Sequence, residues 1–206
     1  MSGEHGASSG GAPRGRRASF AERRERRAAI DDPSVVLEAA ARFLEPRARS
    51  VTEVRRRLSG AGYRADLVEG AITRMLELGM LDDEAFARAW VESRDRARPR
   101  GERAIRQELG LKGVDRPTID LVLGERREAA AGMPSDDGEV AMSPDQAAAE
   151  RLLARNARSL ARVADPRQRR QRAYALLARN GFDPEVCRTV AAQVEQDDTA
   201  EPLDDD

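Results

Sequence analysis

One signature occurs three times in this chain: a leucine in the last helical turn, three residues, a glycine and an apolar residue. It runs from Leu58 to Gly62 and Tyr63, from Leu109 to Gly113 and Val114, and from Leu177 to Gly181 and Phe182. A glycine just past a helix can adopt the left-handed conformation that side chains resist, and the next apolar residue can fold back onto that helix. Each copy closes an amphipathic segment and precedes a second apolar stripe at matching offsets: Leu67, Val68, Ala71 and Ile72; Ile119, Val122 and Leu123; Val186, Cys187, Val190 and Ala191. The repetition predicts an all-α chain of three tandem three-helix units. Repeat proteins usually work by presenting surface.

Composition agrees with several small cores. Aromatics are 3% and charged residues 35% of 206 residues, which leaves Ala, Leu, Val and Ile to build thin cores side by side rather than one large one. Strand formers are sparse and strong helix formers dominate. Cys187, the single cysteine, sits on an apolar stripe and is expected in the core.

Capping signals set the boundaries. Residues 1–31 pass from Gly/Ser-rich to Arg/Glu-rich without a sustained apolar stripe and are expected to be a disordered basic arm, with a helix near Phe20–Ala29. Ordered structure is expected from Asp32-Pro33, an aspartate cap with proline in the first turn. Ser50 to Glu53 is a capping box, and a third helix completes a first unit over 32–81. Asp82, Asp83 and Glu84 open a second unit over 82–127, with an apolar face of Phe86, Ala89, Trp90 and Val91, a break at Pro99, and a last helix ending near Gly124. Residues 128–142 read as a flexible insert. Ser143 to Gln146 opens a third unit over 143–194, and residues 195–206 form an acidic, disordered tail. The glycine-to-glycine offsets are 51 and 68, and the extra 17 residues match the insert.

The net charge of −1 hides an asymmetry. Residues 195–206 carry −7, residues 125–145 carry −4 and residues 1–32 carry +2, so the remaining helical parts carry +8. A basic body with an acidic tail suits a nucleic-acid partner, and the tail could equally screen that body. Charge alone does not decide. No apolar run approaches bilayer-spanning length and no secretory signal is visible, so a cytoplasmic protein, expected to be a monomer without membrane contact, follows.

The only histidine, His5, lies in the arm, so no histidine-based acid–base or triad site can be assembled. One cysteine with one histidine makes no structural zinc site, and phosphate-loop and dinucleotide motifs are absent. No catalytic, cofactor or metal site is expected, and the chain reads as a non-enzyme. The candidates that remain are arginine clusters. They are Arg55 to Arg57; Arg94, Arg96, Arg98, Arg100, Arg103 and Arg106 around Pro99; and Arg167, Arg169, Arg170 and Arg172. Each could meet phosphates or acidic protein patches, or be a solvated face. The group from Arg94 to Arg106 stands out as six arginines at one corner. Trp90 and Tyr63, at helical spacing with apolar neighbours, read as core rather than base-stacking residues.

The segment Leu81-Asp82-Asp83-Glu84-Ala85-Phe86-Ala87-Arg88-Ala89-Trp90-Val91-Glu92-Ser93-Arg94 closely resembles the hallmark of the RecX family. Gly101 to Leu109, Lys112-Gly113-Val114, Leu76 to Gly79 and Asn180-Gly181-Phe182 are similar to further parts of it, and the resemblance covers residues 34–194. It implies an elongated, curved array of three three-helix repeats. It also implies binding in the groove of the RecA recombinase filament on single-stranded DNA, restraining its growth and its ATPase, strand-exchange and coprotease activities. That places the chain in the control of recombination, repair and the SOS response. The arm, the insert and the acidic tail depart from the family's common pattern.

Overall fold

A computed structural model of the protein describes residues 19–131 and 142–196. All its regular structure is helical among the described residues. A first helix, α1 (Phe20–Ala28), precedes α2 (Pro33–Leu44), α3 (Val51–Ala61) and α4 (Ala65–Glu77). Then come α5 (Asp83–Ala97), α6 (Glu102–Leu111) and α7 (Arg116–Ala131), followed by α8 (Pro144–Ala161), α9 (Pro166–Arg179) and α10 (Pro184–Gln196).

The helix starts follow the capping chemistry in the sequence. Asp32 accepts from the Ser34 N–H with Pro33 in the first turn, and Ser50 and Glu53 form a reciprocal capping box. Asp82 accepts from Ala85, Asp115 from Thr118 and Ser143 from Gln146. Three separate apolar clusters follow, one in each group of three helices. They centre on Val54, Leu58 and Met75; on Ile105, Leu109 and Leu123; and on Ala149, Leu177 and Cys187. A fully buried leucine or isoleucine contributes roughly 1.5–3 kcal/mol, whereas an exposed ion pair contributes about 0–1 kcal/mol. The clusters therefore hold each group together, despite the many Arg–carboxylate pairs on its surface.

The repeated signature is a helix-ending turn in all three places. Gly62, Gly113 and Gly181 have φ of 103°, 81° and 81°. The residue after each glycine donates its N–H back to the signature leucine: Tyr63 to Leu58 at 3.4 Å, Val114 to Leu109 at 3.1 Å and Phe182 to Leu177 at 3.4 Å. This bond pattern satisfies carbonyls that a helix end leaves open. Val114 and Phe182 are buried as a result, and Tyr63 half-buried. A fourth turn of the same kind closes α4, where Gly79 has φ 66° and Met80 donates to Met75 at 2.9 Å.

Three expectations are corrected. Ordered structure begins before Asp32: a capping box of Ser19 and Glu22 starts α1, at the place where the arm is expected to hold a helix. The helix expected to end near Gly124 continues to Ala131. Glu125 pairs with Arg88, and Arg126, only 6% exposed, pairs with Asp95 at 2.7 Å and Asp145 at 2.6 Å, so contacts at Gly124's C-terminal side hold the helix through it. On α5, Ala89 is exposed and Ala87 buried, because the α5 stripe runs through Phe86, Ala87 and Val91 with Trp90 at its edge. Residues 1–18, 132–141 and 197–206, which include most of the predicted insert and tail, lie outside the described residues.

Successive groups meet at a joint built twice in the same way. At the first, the Val51 N–H at the start of α3 donates to Asp83 Oδ1 at 2.9 Å, Ser50 Oγ donates to the Lys112 carbonyl at 2.6 Å, and a Cβ on Gly113 would overlap Thr52. At the second, the Glu102 N–H at the start of α6 donates to Asp145 Oδ2 at 3.0 Å, the Gly101 N–H donates to the Asn180 carbonyl at 3.1 Å, and a Cβ on Gly181 would overlap Ala104. The start of a middle helix thus seats on the glycine turn of the next group. An aspartate from that group's first turn caps it, which fills an otherwise open backbone donor.

The helix α1 stands at the same place on the first glycine turn. Arg27 Nη1 donates to the Ala61 carbonyl at 3.4 Å, and a Cβ on Gly62 would come within 3.0 Å of Arg24 Cα. The carbonyl before each joint glycine is therefore satisfied by the element that precedes the group. With no buried residue of its own, α1 closes the end of the row as a terminal cap does.

Candidate functional site

The hallmark segment forms α5 and its cap, and its side chains meet those of α6. Trp90 lies between two cations, with the Arg94 guanidinium carbon 4.2 Å and Lys112 Nζ 4.3 Å from its ring centroid. Its indole N–H donates to Glu108 Oε2 at 2.8 Å, the oxygen that also accepts from Arg94 Nε at 2.6 Å. Arg100 Nε stands 3.7 Å from the other Glu108 oxygen. Glu108 is a hub between an indole and two guanidiniums, and Arg94 is only 16% exposed. Such a desolvated, charge-assisted cluster fixes its members rather than leaving them free for a partner.

The same cluster reaches the first joint. Lys112 Nζ donates to Glu53 Oε1 at 3.0 Å, and Arg47 lies 3.4 Å from that oxygen. Partial burial pushes the Glu53 carboxyl up, but its bonds with Lys112 and the Ser50 N–H outweigh this and hold it below its ordinary range. Asp83 shows the opposite balance. Burial pushes its carboxyl above the ordinary range against its bond from the Val51 N–H. Asp82 and Asp83 divide their work accordingly: the first caps its own helix and the second caps α3 of the preceding group.

The six arginines of the predicted corner separate into two kinds. Arg94 and Arg100 engage Glu108, and Arg100 Nη1 also donates to Asn180 Oδ1 at 2.6 Å. Arg96 pairs with Glu92, and Arg106 with Asp120 and Glu102. The Arg106 guanidinium holds the Asp120 carboxyl below its usual range. Arg98 and Arg103 are exposed and have no ion pair among the described residues. Glu102 lies inside the arginine-rich stretch and Glu92 and Glu108 beside it, whereas Asp120 comes from α7; which arginine each acid takes depends on how α5, α6 and α7 pack, and spacing along the chain does not show it. Elsewhere, Arg55 pairs with Glu69 at 2.7 Å and Arg57 stacks on Phe43.

The largest excess of positive charge lies instead on α8–α10. Residues 143–194 hold ten arginines and five carboxylates. Two of the carboxylates, Asp165 and Asp183, cap their own helices, and Asp145 is taken by Arg126 and α6. Arg155 donates to the Ala97 and Arg96 carbonyls at 2.6 and 2.9 Å, closing the end of α5. Arg158, Arg167, Arg172, Arg179 and Arg188 are exposed without ion pairs among the described residues.

Cys187 is buried and its thiol, whose Sγ donates to the Phe182 carbonyl, is pushed up by burial, so it is a packing residue. Among the described residues no group of three or more His, Cys, Asp or Glu side chains could hold a metal ion, and no helix is long and apolar enough to cross a membrane.

Comparison with known proteins matches this geometry. Models of the first, second and third three-helix domains of RecX match residues 37–75, 82–123 and 144–190. The regulatory protein RecX of Mycobacterium avium (strain 104) is 30% identical over 154 residues, covering 74% of this chain and 81% of that protein. The regulatory protein RecX of Mycolicibacterium vanbaalenii is 36% identical over 121 residues, covering 55% of this chain and 66% of that protein, just under two thirds. A crystal structure of RecX from Lactobacillus salivarius shares the fold, with a TM-score of 0.64 at 18% identity over 81% of this chain and 98% of that one. A second crystal structure, of regulatory protein RecX, gives 0.62 at 18% identity over 84% of this chain and 73% of that one. With three domain models matched in order on three jointed helical groups, the chain belongs to the RecX family.

Proposed function

We propose that this protein binds RecA filaments on single-stranded DNA and restrains their growth, ATPase and coprotease activity, acting in the cytoplasm as a monomeric regulator rather than a catalyst. The observation that supports this best is the row of three RecX-type groups held by repeated joints. Such a surface can follow a helical filament groove over several subunits. Within the Arg94–Arg106 corner, Arg98 and Arg103 are the side chains directed to RecA carboxylates or DNA phosphates. Arg94, Arg100 and Arg106 hold that corner through acids on α6 and α7, while Arg96 makes only an exposed pair with Glu92 on its own helix.

The positive excess of residues 143–194 favours a second reading, direct coating of nucleic acid without RecA. RecA ATPase on single-stranded DNA, titrated with this protein at two salt concentrations, separates the two. Filament regulation gives inhibition at ratios well below one molecule per RecA. DNA coating gives inhibition only at saturating ratios, with a steep loss on adding salt. In the regulatory case Arg98→Ala with Arg103→Ala weakens inhibition and leaves helicity unchanged; unaltered inhibition removes this corner from the interface.

A further inference from the structure

The helix α6 reaches from one joint to the other. Its start belongs to the second joint, where the Gly101 and Glu102 N–H groups donate to the Asn180 carbonyl and to Asp145. The residues just past its end belong to the first, where the Lys112 carbonyl accepts from Ser50 and Gly113 packs on Thr52. The ten residues of α6 make a rod about 15 Å long. Neither joint can tilt about this rod without moving the end that forms the other.

A chain of side chains runs along the same rod. At one end Lys112 Nζ binds Glu53 of α3 at 3.0 Å, and at the other Arg100 Nη1 donates to Asn180 Oδ1 at 2.6 Å. Glu108 stands between them, 3.7 Å from Arg100, and binds Trp90 and Arg94 of α5. Lys112 lies over the same indole ring, 4.3 Å from its centroid. The Lys112 and Glu53 side chains are only 18% and 19% exposed, so water screens this chain poorly and the loss of one member is felt by the next. We propose that α6 is a lever latched to α5 at Glu108, so that the two joints open together. A partner seated on the first group then changes the joint of the third, and the reverse holds to the same extent. The coupling belongs to the fold and does not depend on RecA being that partner.

Amide hydrogen exchange reads the joints separately, through Val51 at the first and Gly101 and Glu102 at the second. Glu53→Gln keeps a residue that completes the capping box but gives up the charge that holds Lys112. Asn180→Ala removes the side-chain acceptor of Arg100 and leaves the carbonyl that takes the Gly101 N–H. Glu53→Gln should speed exchange at Gly101 and Glu102 about threefold or more, and Asn180→Ala should do the same at Val51. In a Glu108→Gln background both distant effects should disappear. The Cys187 amide, bonded to the Asp183 carbonyl inside the third group, should stay unchanged, which separates joint opening from global unfolding. Acceleration confined to the altered joint, distant effects that persist without the Glu108 carboxylate, or a Cys187 amide that speeds up alongside would each overturn the proposal. Trp90, the single tryptophan, gives a second readout that does not require Glu108→Gln to fold. Acrylamide should quench it more readily in both single variants, and unchanged quenching in either contradicts a shared latch.

Discussion

Glycine does two different jobs in the turns of this chain, and Gly79 separates them from Gly113. Both are left-handed, with φ of 66° and 81°, yet a Cβ would meet nothing within 4 Å at Gly79 and would overlap Thr52 at Gly113. Gly79→Ala should therefore cost only the left-handed strain, about 1–2 kcal/mol. Gly113→Ala adds the cost of forcing a methyl into a filled joint, about 1–3 kcal/mol more. Thermal melts of the two variants check this; equal shifts would mean that the first joint is looser than it stands here. The cap role of these glycines was legible from the sequence, because left-handed turns leave a local signature. The joint role was not, because Thr52 and Ala104 touch Gly113 and Gly181 from distant positions. Asp83 is a second case. Its folded carboxyl is raised by burial, so between its ordinary and its raised value the folded chain binds more protons than the unfolded one. Stability should then fall as pH rises through that window. Asp83→Asn keeps an acceptor for the Val51 N–H and should flatten this slope, as read by denaturant unfolding across pH 4–7; an unchanged slope would assign it to other carboxylates.

Helices carry the second joint as much as the turns do. Arg126 on α7 binds Asp95 on α5 and Asp145 on α8, while Asp145 also caps α6. One buried guanidinium therefore ties four helices from two groups. Removing one partner of a buried pair costs about 3–5 kcal/mol. Asp95 is 27% and Asp145 15% exposed and keep some water, so Arg126→Met should fall near or below the lower end of that range. Denaturant unfolding with a loss under about 1 kcal/mol would reduce Arg126 to a surface-like pair. Nothing in the sequence singled out Arg126, since it lies beside the segment read as an insert and its acids are 31 and 19 residues away. Most apolar stripes, and the caps of α2, α3, α5 and α8, were legible because they recur at helical spacing or as local capping signals, with Ala89 misplaced on α5. The extension of α7 past Gly124 was not, since a glycine there marks a helix end only if no tertiary contact holds the next turn. The helix α1 shows the same limit: Phe20–Ala29 could be seen as helix-prone, but its place against Gly62 depends on a non-local contact.

At the scale of the whole molecule, the repeated element is a joint as well as a three-helix group. Each joint combines a neighbour's aspartate cap, a satisfied turn carbonyl and a contact that only glycine allows, so three small cores become one surface. Gly101 offers a direct way to loosen that surface without disturbing any left-handed turn. Its φ is −72°, an ordinary value, but a Cβ there would overlap the Gly181 carbonyl. The decisive measurement is RecA ATPase on single-stranded DNA, titrated with the full chain and with Gly101→Ala at matched helicity. Filament regulation by a joined array predicts inhibition by the full chain at substoichiometric ratios, and a need for roughly tenfold more of the variant, about 1.4 kcal/mol of lost coupling. Equal inhibition by the two proteins, or none by the full chain, would contradict it.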